Sequence, residues 1–266
     1  SKIIKNPSIA AVSLTGSNKA GISVATDAAS VLKKTVLELG GSDPYIVLSD
    51  ADLNQSAESC INGRILNAGQ SCISAKRIIV IDTIYDQFLE ILLKKLSKKK
   101  IGDPMTDVDL GPMVSLNARE EIHKQVLESV KKGAKIVIGG YISKSIGSYY
   151  PLTLLSNVKP GMPAFDEELF GPVFSIIKAN NDKEAIDLAN LSEFGLGASV
   201  FTKDIKRGED IAKNKIFSGS CFVNDFVKSD PRLPFGGIKQ SGYGRELASH
   251  GMLEFVNIKT IVIKSN

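Results

Sequence analysis

The sequence is poor in the residues that carry metal and disulfide chemistry. It has three cysteines (Cys60, Cys72 and Cys221) with no Cys-x-x-Cys pair, and two histidines, His123 and His250. So sparse and odd a cysteine count argues against a disulfide framework and against structural zinc. A reducing, cytoplasmic compartment is therefore expected. Two distant histidines and no Gly-x-Ser-x-Gly leave no basis for a Ser-His-Asp triad. No apolar run approaches the roughly 18–20 residues of a membrane span. Residues Ser1–Pro7 do not follow the basic, apolar, small-residue order of a secretory signal. Charge is nearly balanced: 33 Lys and Arg against 29 Asp and Glu give +4 over 266 residues, which offers little to nucleic acid. Repeats and low-complexity linkers are also missing.

What is present reads as a globular α/β chain. At 43% hydrophobic and 23% charged, it can bury one large or two modest cores. Ile9–Leu14 reads as a strand, Thr15–Asn18 as a turn with an N-cap, and 19–34 as an amphipathic helix ending on Lys33 and Lys34. A second strand at Val36–Leu39 makes this a βαβ unit, hence a parallel sheet. The alternation continues: strands at 45–48, 78–81, 135–138, 173–177, 198–201 and 221–224, with helices at 52–67, 84–100, 118–132, 183–190 and 205–216. A Gly- and Pro-rich loop at 230–244, a helix at 245–255 and a last strand at 260–264 complete the pattern. The lysines at 94–100 suit a solvated helix end better than a nucleic-acid or membrane patch.

Four segments could carry chemistry. Gly16–Ser23 has P-loop glycine spacing after a strand, but Ile22 stands where the phosphate-binding lysine belongs. What survives is a helix start that could favour an anion, or an ordinary capped helix. Cys72 follows a glycine turn in Asn67-Ala68-Gly69-Gln70-Ser71-Cys72. There a thiol can be partly exposed near backbone donors, yet the position also suits an inert packed cysteine, as Cys60 and Cys221 do. Glu38 ends an apolar strand, where a carboxylate is either buried with a raised pKa or turned to solvent. Glu167–Pro172 sets two acids before an aromatic and a turn.

In this order the segments resemble a known family. Leu37-Glu38-Leu39-Gly40-Gly41, with Cys72 following Glu38 by 34 residues, is similar to the paired signatures of NAD(P)-dependent aldehyde dehydrogenases. Glu168-Leu169-Phe170-Gly171-Pro172 and Pro234-Phe235-Gly236-Gly237 resemble that superfamily's later motifs, as does Gly244-Arg245-Glu246. Arg64–Asn67, Ala75-Lys76-Arg77 and Ser229–Phe235 look most like the bacterial succinate-semialdehyde dehydrogenase branch. The resemblance implies an oxidoreductase using NAD or NADP on a small aldehyde, and a homo-oligomer, dimer or tetramer, when full length. It implies Cys72 as nucleophile, its own N–H as an oxyanion donor, and Glu38 as the base for water. Thr15, Gly16 and Ser17 would lie under the pyrophosphate, Glu168 on the ribose, and Leu39 and Phe170 beside the nicotinamide. Phe235 would line the aldehyde pocket, and Arg64 would meet the acid end of a semialdehyde.

Members of that family carry a long upstream segment, so the chain reads as a C-terminal portion. By the same likeness 1–39 belong to the cofactor domain, 40–235 to the catalytic domain and 236–256 to the cofactor domain again, with 257–266 an oligomerisation strand. Such a portion alone is expected to bind cofactor poorly and turn over little. Two other readings stay open: cofactor-free hydrolysis of esters or thioesters by Cys72 and Glu38, and a non-catalytic interaction module.

Overall fold

Residues 11–38 close into the strand–helix–strand unit expected of them. In the computed structural model, which describes residues 2–143 and 146–265, a one-turn helix α1 (Lys2–Lys5) leads into β1 (Ala11–Thr15). Then come α2 (Asn18–Ala29) and β2 (Lys34–Glu38). β1 and β2 pair in parallel, Ala11 opposite Lys34 through Thr15 opposite Glu38. Ser17 caps α2 by accepting the Ala20 N–H. The helix stops earlier than its apolar spacing suggests. Leu32 turns left-handed at φ 55°, and Lys33 donates to the carbonyls of Ile4 and Asn6.

From β2 the chain runs buried, from Val36 to Leu48, into a larger sheet. Its elements in order are β3 (Asp43–Val47), α3 (Leu53–Ile65), β4 (Ala75–Ile81), α4 (Asp82–Leu96), α5 (Leu116–Lys131) and β5 (Lys135–Ile138). They continue with β6 (Thr153–Ser156), α6 (Pro163–Asp166), β7 (Val173–Ala179), α7 (Asp182–Asn190), β8 (Phe194–Gly195), β9 (Ser199–Phe201), α8 (Ile205–Asn214) and β10 (Phe222–Val223). Seven of these strands stand in the order β10-β9-β3-β4-β7-β6-β5, parallel except for the β5–β6 pair. β6 escaped the sequence reading because it is four residues long and begins two residues after Pro151. Its pairing with β7 makes it a strand.

Helices cover both faces of this sheet, as parallel strands require. Along β3, Tyr45 and Val47 face α3 and α4, packing with Cys60, Ile61, Phe88 and Leu92. Ile46 and Leu48 face α5 and α7, packing with Ile122, Val126 and Ala185. Cys60 is fully buried, and burial pushes its thiol far above the ordinary value. It is a core residue.

The last segment adds β11 (Ile238–Lys239), β12 (Gly242–Tyr243) and α9 (Ala248–Glu254). β12 returns to the first sheet and pairs antiparallel with β2, Gly242 opposite Glu38. α9 begins later than expected because Leu247 and Ala248 both take left-handed φ. Residues 256–265 form no strand in this chain, against the expectation for 260–264, since no other strand offers them hydrogen bonds.

Candidate active site

Two sheets meeting end to end create a crevice. β1 and β2 finish where β3, β4 and β7 start, and the N-terminus of α2 opens onto the same place. A cavity of about 620 Å³ lies there, within the range of ligand sites. Its lining combines Thr15, Gly16 and Ser17 from the α2 entry, Leu39 and Gly40 after β2, Gln70, Ser71 and Cys72 before β4, and Glu168 and Phe170 before β7. Thus the structure brings Cys72 together with Thr15, Gly16, Ser17, Leu39, Glu168 and Phe170. α2 presses on Leu39: a Cβ on Gly21 would stand 2.6 Å from its Cδ2.

The turn before Cys72 is strained. Asn67, Ala68 and Gly69 all adopt left-handed φ, of 52°, 55° and 74°. For a non-glycine residue such as Ala68 this costs about 1–2 kcal/mol. Gly69 has no alternative, because a Cβ would lie 2.4 Å from the Gly171 carbonyl oxygen. Asn67 and Gln70 brace the turn reciprocally: Asn67 Nδ2 donates to the Gln70 carbonyl at 2.9 Å, and Gln70 Nε2 donates back at 3.1 Å. Strain held by such over-determined contacts is a mark of functional turns. It delivers Cys72, partly buried, to the cavity wall.

Charge around the thiol is mixed. Burial raises its pKa, Lys76 opposes that, and Asp43, Glu168 and Glu38 reinforce it. Lys76 is buried and donates to the carbonyls of Ser71 and Cys72, each at 2.8 Å. Its ammonium also lies 3.5 Å from Glu168 Oε1, which accepts the Gly41 N–H at 3.0 Å. The carboxylate of Glu168 therefore lies across Gly40 and Gly41. A Cβ on Gly40 would meet Glu168 Oε2 at 2.6 Å, and one on Gly41 would meet the Cys72 carbonyl oxygen at 2.4 Å.

Glu38 is buried, as one reading of the strand end allowed, but it is not among the residues lining the cavity. Neither carboxyl oxygen has a hydrogen-bond partner, and Oε1 lies against Gly236, where a Cβ would come within 2.9 Å. Burial first, and then Glu246, push its pKa up to about 7, while Arg245 and the Gly237 N–H pull the other way. Asp43 shares this condition. Oδ1 accepts the Gly197 N–H at 3.0 Å, Oδ2 is orphaned, and burial drives the pKa to about 7 against Lys76.

Two expected residues are elsewhere. Arg64 does not reach the cavity. It is fully buried, with Nε donating to the Val173 carbonyl at 2.6 Å, Nη1 to Ser74 Oγ at 2.8 Å and Nη2 to the Leu169 carbonyl at 2.8 Å. A guanidinium so committed braces the turn and the loop before β7, and its full burial keeps it from a substrate acid in the cavity. Arg64→Met should therefore lower stability by about 3–5 kcal/mol, since three buried acceptors lose their donors. Urea unfolding measures this; a loss under 1 kcal/mol would refute the bracing role. Phe235 pairs with Glu246 through both backbone N–H groups and is not among the lining residues.

Lys76 and Asp43 went unassigned in the sequence reading. Two adjacent basic residues, Lys76 and Arg77, at the start of the buried strand β4, and an acid at the start of β3, were the available signals. A charged side chain in a buried strand needs a partner.

Comparison with known proteins gives a consistent picture. The model described as "Aldehyde dehydrogenase family" matches residues 1–261. The succinate semialdehyde dehydrogenase (NAD(P)+) of Escherichia coli strain K12 is 45% identical over 98% of this chain and 56% of its own length. The succinate-semialdehyde dehydrogenase (NADP(+)) 1 of Mycobacterium bovis (strain BCG / Pasteur 1173P2) is 44% identical over 98% of this chain and 57% of its length. A solved succinic semialdehyde dehydrogenase from Streptococcus pyogenes, in complex with NADP+, superposes with a TM-score of 0.96 at 40% identity, covering 99% of this chain and 58% of that one. The chain thus spans a little over half the length of these relatives.

Proposed function

The chain belongs to the aldehyde dehydrogenase family, and from that premise we propose that it oxidises an aldehyde to the carboxylic acid with NAD or NADP, through a thioester on Cys72. Succinate semialdehyde is the substrate its relatives' names favour. The observation that carries this reading is a single cavity shared by a strained cysteine turn, a helix N-terminus and a carboxylate.

The cavity suits a nicotinamide cofactor. Gly16 is exposed at the cavity and lies directly before the cap of α2. Free N–H groups of the first turn of α2 favour phosphate there. Thr15, Gly16 and Ser17 would hold the pyrophosphate, Glu168 the ribose, and Leu39 and Phe170 the ring. When bound, the cofactor supplies the acceptor for the hydride leaving the aldehyde carbon.

The chain's own residues do the rest. The Cys72 thiolate forms a C–S bond to the carbonyl carbon, and the Cys72 N–H stabilises the resulting oxyanion. Glu38 then takes a proton from the water that attacks the thioester. The C–S bond breaks, the acid leaves and the thiolate is restored. For this the Glu38 side chain must swing from Gly236 towards Cys72.

The same reading gives residues 1–39 and 236–256 to the cofactor domain, 40–235 to the catalytic domain and 257–266 to an oligomer contact, in a reducing cytoplasm. The exposure of Ile258, Val262 and Ile263, each above 85%, supports that contact. The test adds succinate semialdehyde and either cofactor to the full-length protein and follows reduced cofactor. Butyraldehyde, which lacks the second acid group, should react more slowly. No reduced cofactor with any aldehyde would overturn the proposal.

A further inference from the structure

Lys76 is the second residue of β4, a strand buried along its whole length, and its side chain is 1% exposed. Burying an ammonium is costly unless every N–H is matched. Here each has a use: the carbonyls of Ser71 and Cys72 at 2.8 Å, and Glu168 Oε1 at 3.5 Å. Asp43, also buried, favours the ammonium when ionised, and the buried Arg64 guanidinium opposes it. With the Ser71 carbonyl drawn inward onto the ammonium, the trans peptide sends the Cys72 N–H the opposite way, away from Lys76. An oxyanion donor must be aimed in advance of the reaction, and a pinned peptide does this.

Resting on the reading of Cys72 as nucleophile, we propose that Lys76 is its positioning residue. It pins the Ser71–Cys72 backbone from beneath and supplies the positive charge that offsets the surrounding carboxylates when the thiolate forms. The charged groups facing Cys72 are Lys76 in favour of the thiolate and Asp43, Glu168 and Glu38 against it. Because the same ammonium reaches Glu168, the nucleophile turn and the carboxylate facing the cofactor share one cation.

The test is the pH profile of Cys72 alkylation by iodoacetamide in the full chain, with peptide mapping to separate Cys72 from Cys60 and Cys221. Lys76→Gln keeps a donor and removes the charge; Lys76→Met removes both. Each should raise the alkylation midpoint by about one pH unit or more and slow labelling at neutral pH about tenfold. Lys76→Arg, which keeps the charge, should return the midpoint towards wild type. A folded Lys76→Gln variant with the wild-type midpoint overturns the proposal. So does failure of both neutral variants to fold by circular dichroism, which would make Lys76 a purely structural residue. Alkylation needs neither aldehyde nor cofactor. An intact shift without aldehyde oxidation therefore sinks only the reaction, and intact oxidation with an unshifted profile sinks only the role of Lys76.

Discussion

On the proposed reading, Cys72→Ala in the full-length protein is expected to abolish aldehyde oxidation, lowering kcat by about 10⁴-fold or more. The alanine side chain removes the atom that would bond to the substrate carbon and leaves the rest of the cavity intact. Its loss should therefore appear in kcat and not in cofactor affinity. The Lys76 contacts are to backbone carbonyls, so the turn should keep its shape. Stability should change by less than about 1 kcal/mol at this partly buried position. Reduced-cofactor formation by the variant, alongside cofactor binding by fluorescence, checks both halves. A variant retaining a hundredth of wild-type turnover would mean that another group is the nucleophile. Cys60 and Cys221 are poor substitutes, since burial pushes the Cys221 thiol to about 12 and that of Cys60 higher still.

The second large effect belongs to Glu38. Glu38→Gln should lower steady-state turnover by about 10²–10⁴-fold, because an amide cannot take a proton from water. The thioester should still form, so rapid mixing should reveal a burst of about one equivalent of reduced cofactor before the slow phase. As the proposed base, Glu38 would work only when ionised. Turnover should therefore climb as pH rises through about 7, and the variant should lose that limb. Stability changes in the opposite sense. In the unfolded chain this carboxyl ionises near its ordinary value of 4.5, while in the fold it stays protonated up to about 7. Between those values rising pH favours the unfolded state. At and above pH 7 the penalty reaches about 3 kcal/mol. Glu38→Gln should be no more stable than wild type near pH 4 and up to about 3 kcal/mol more stable at neutral pH. Equal denaturation midpoints at both pH values would contradict a buried, unpartnered carboxyl.

Much of this was readable along the chain. Alternating apolar runs announced the parallel α/β layers, and Gly69 before Cys72 announced a turn that could expose a thiol. Arg64, which the resemblance set against the acid end of a semialdehyde, lies elsewhere because a motif says nothing about which side of a helix faces the cavity. α3 turns it inward, onto the carbonyls of Leu169 and Val173, more than a hundred residues away. The tail at 260–264 misled for a related reason. Its β-branched residues favour a strand, but a strand exists only beside another.

The order of residue types by itself determined the α/β alternation and the family. Those properties are local, written in side-chain chemistry and short-range periodicity. Only the tertiary structure decided that Glu38 rests against Gly236, that Lys76 holds the Ser71 and Cys72 carbonyls and that Arg64 is a brace. Each of these depends on strand pairing between distant segments, which decides where a charge is buried and what partner it finds there.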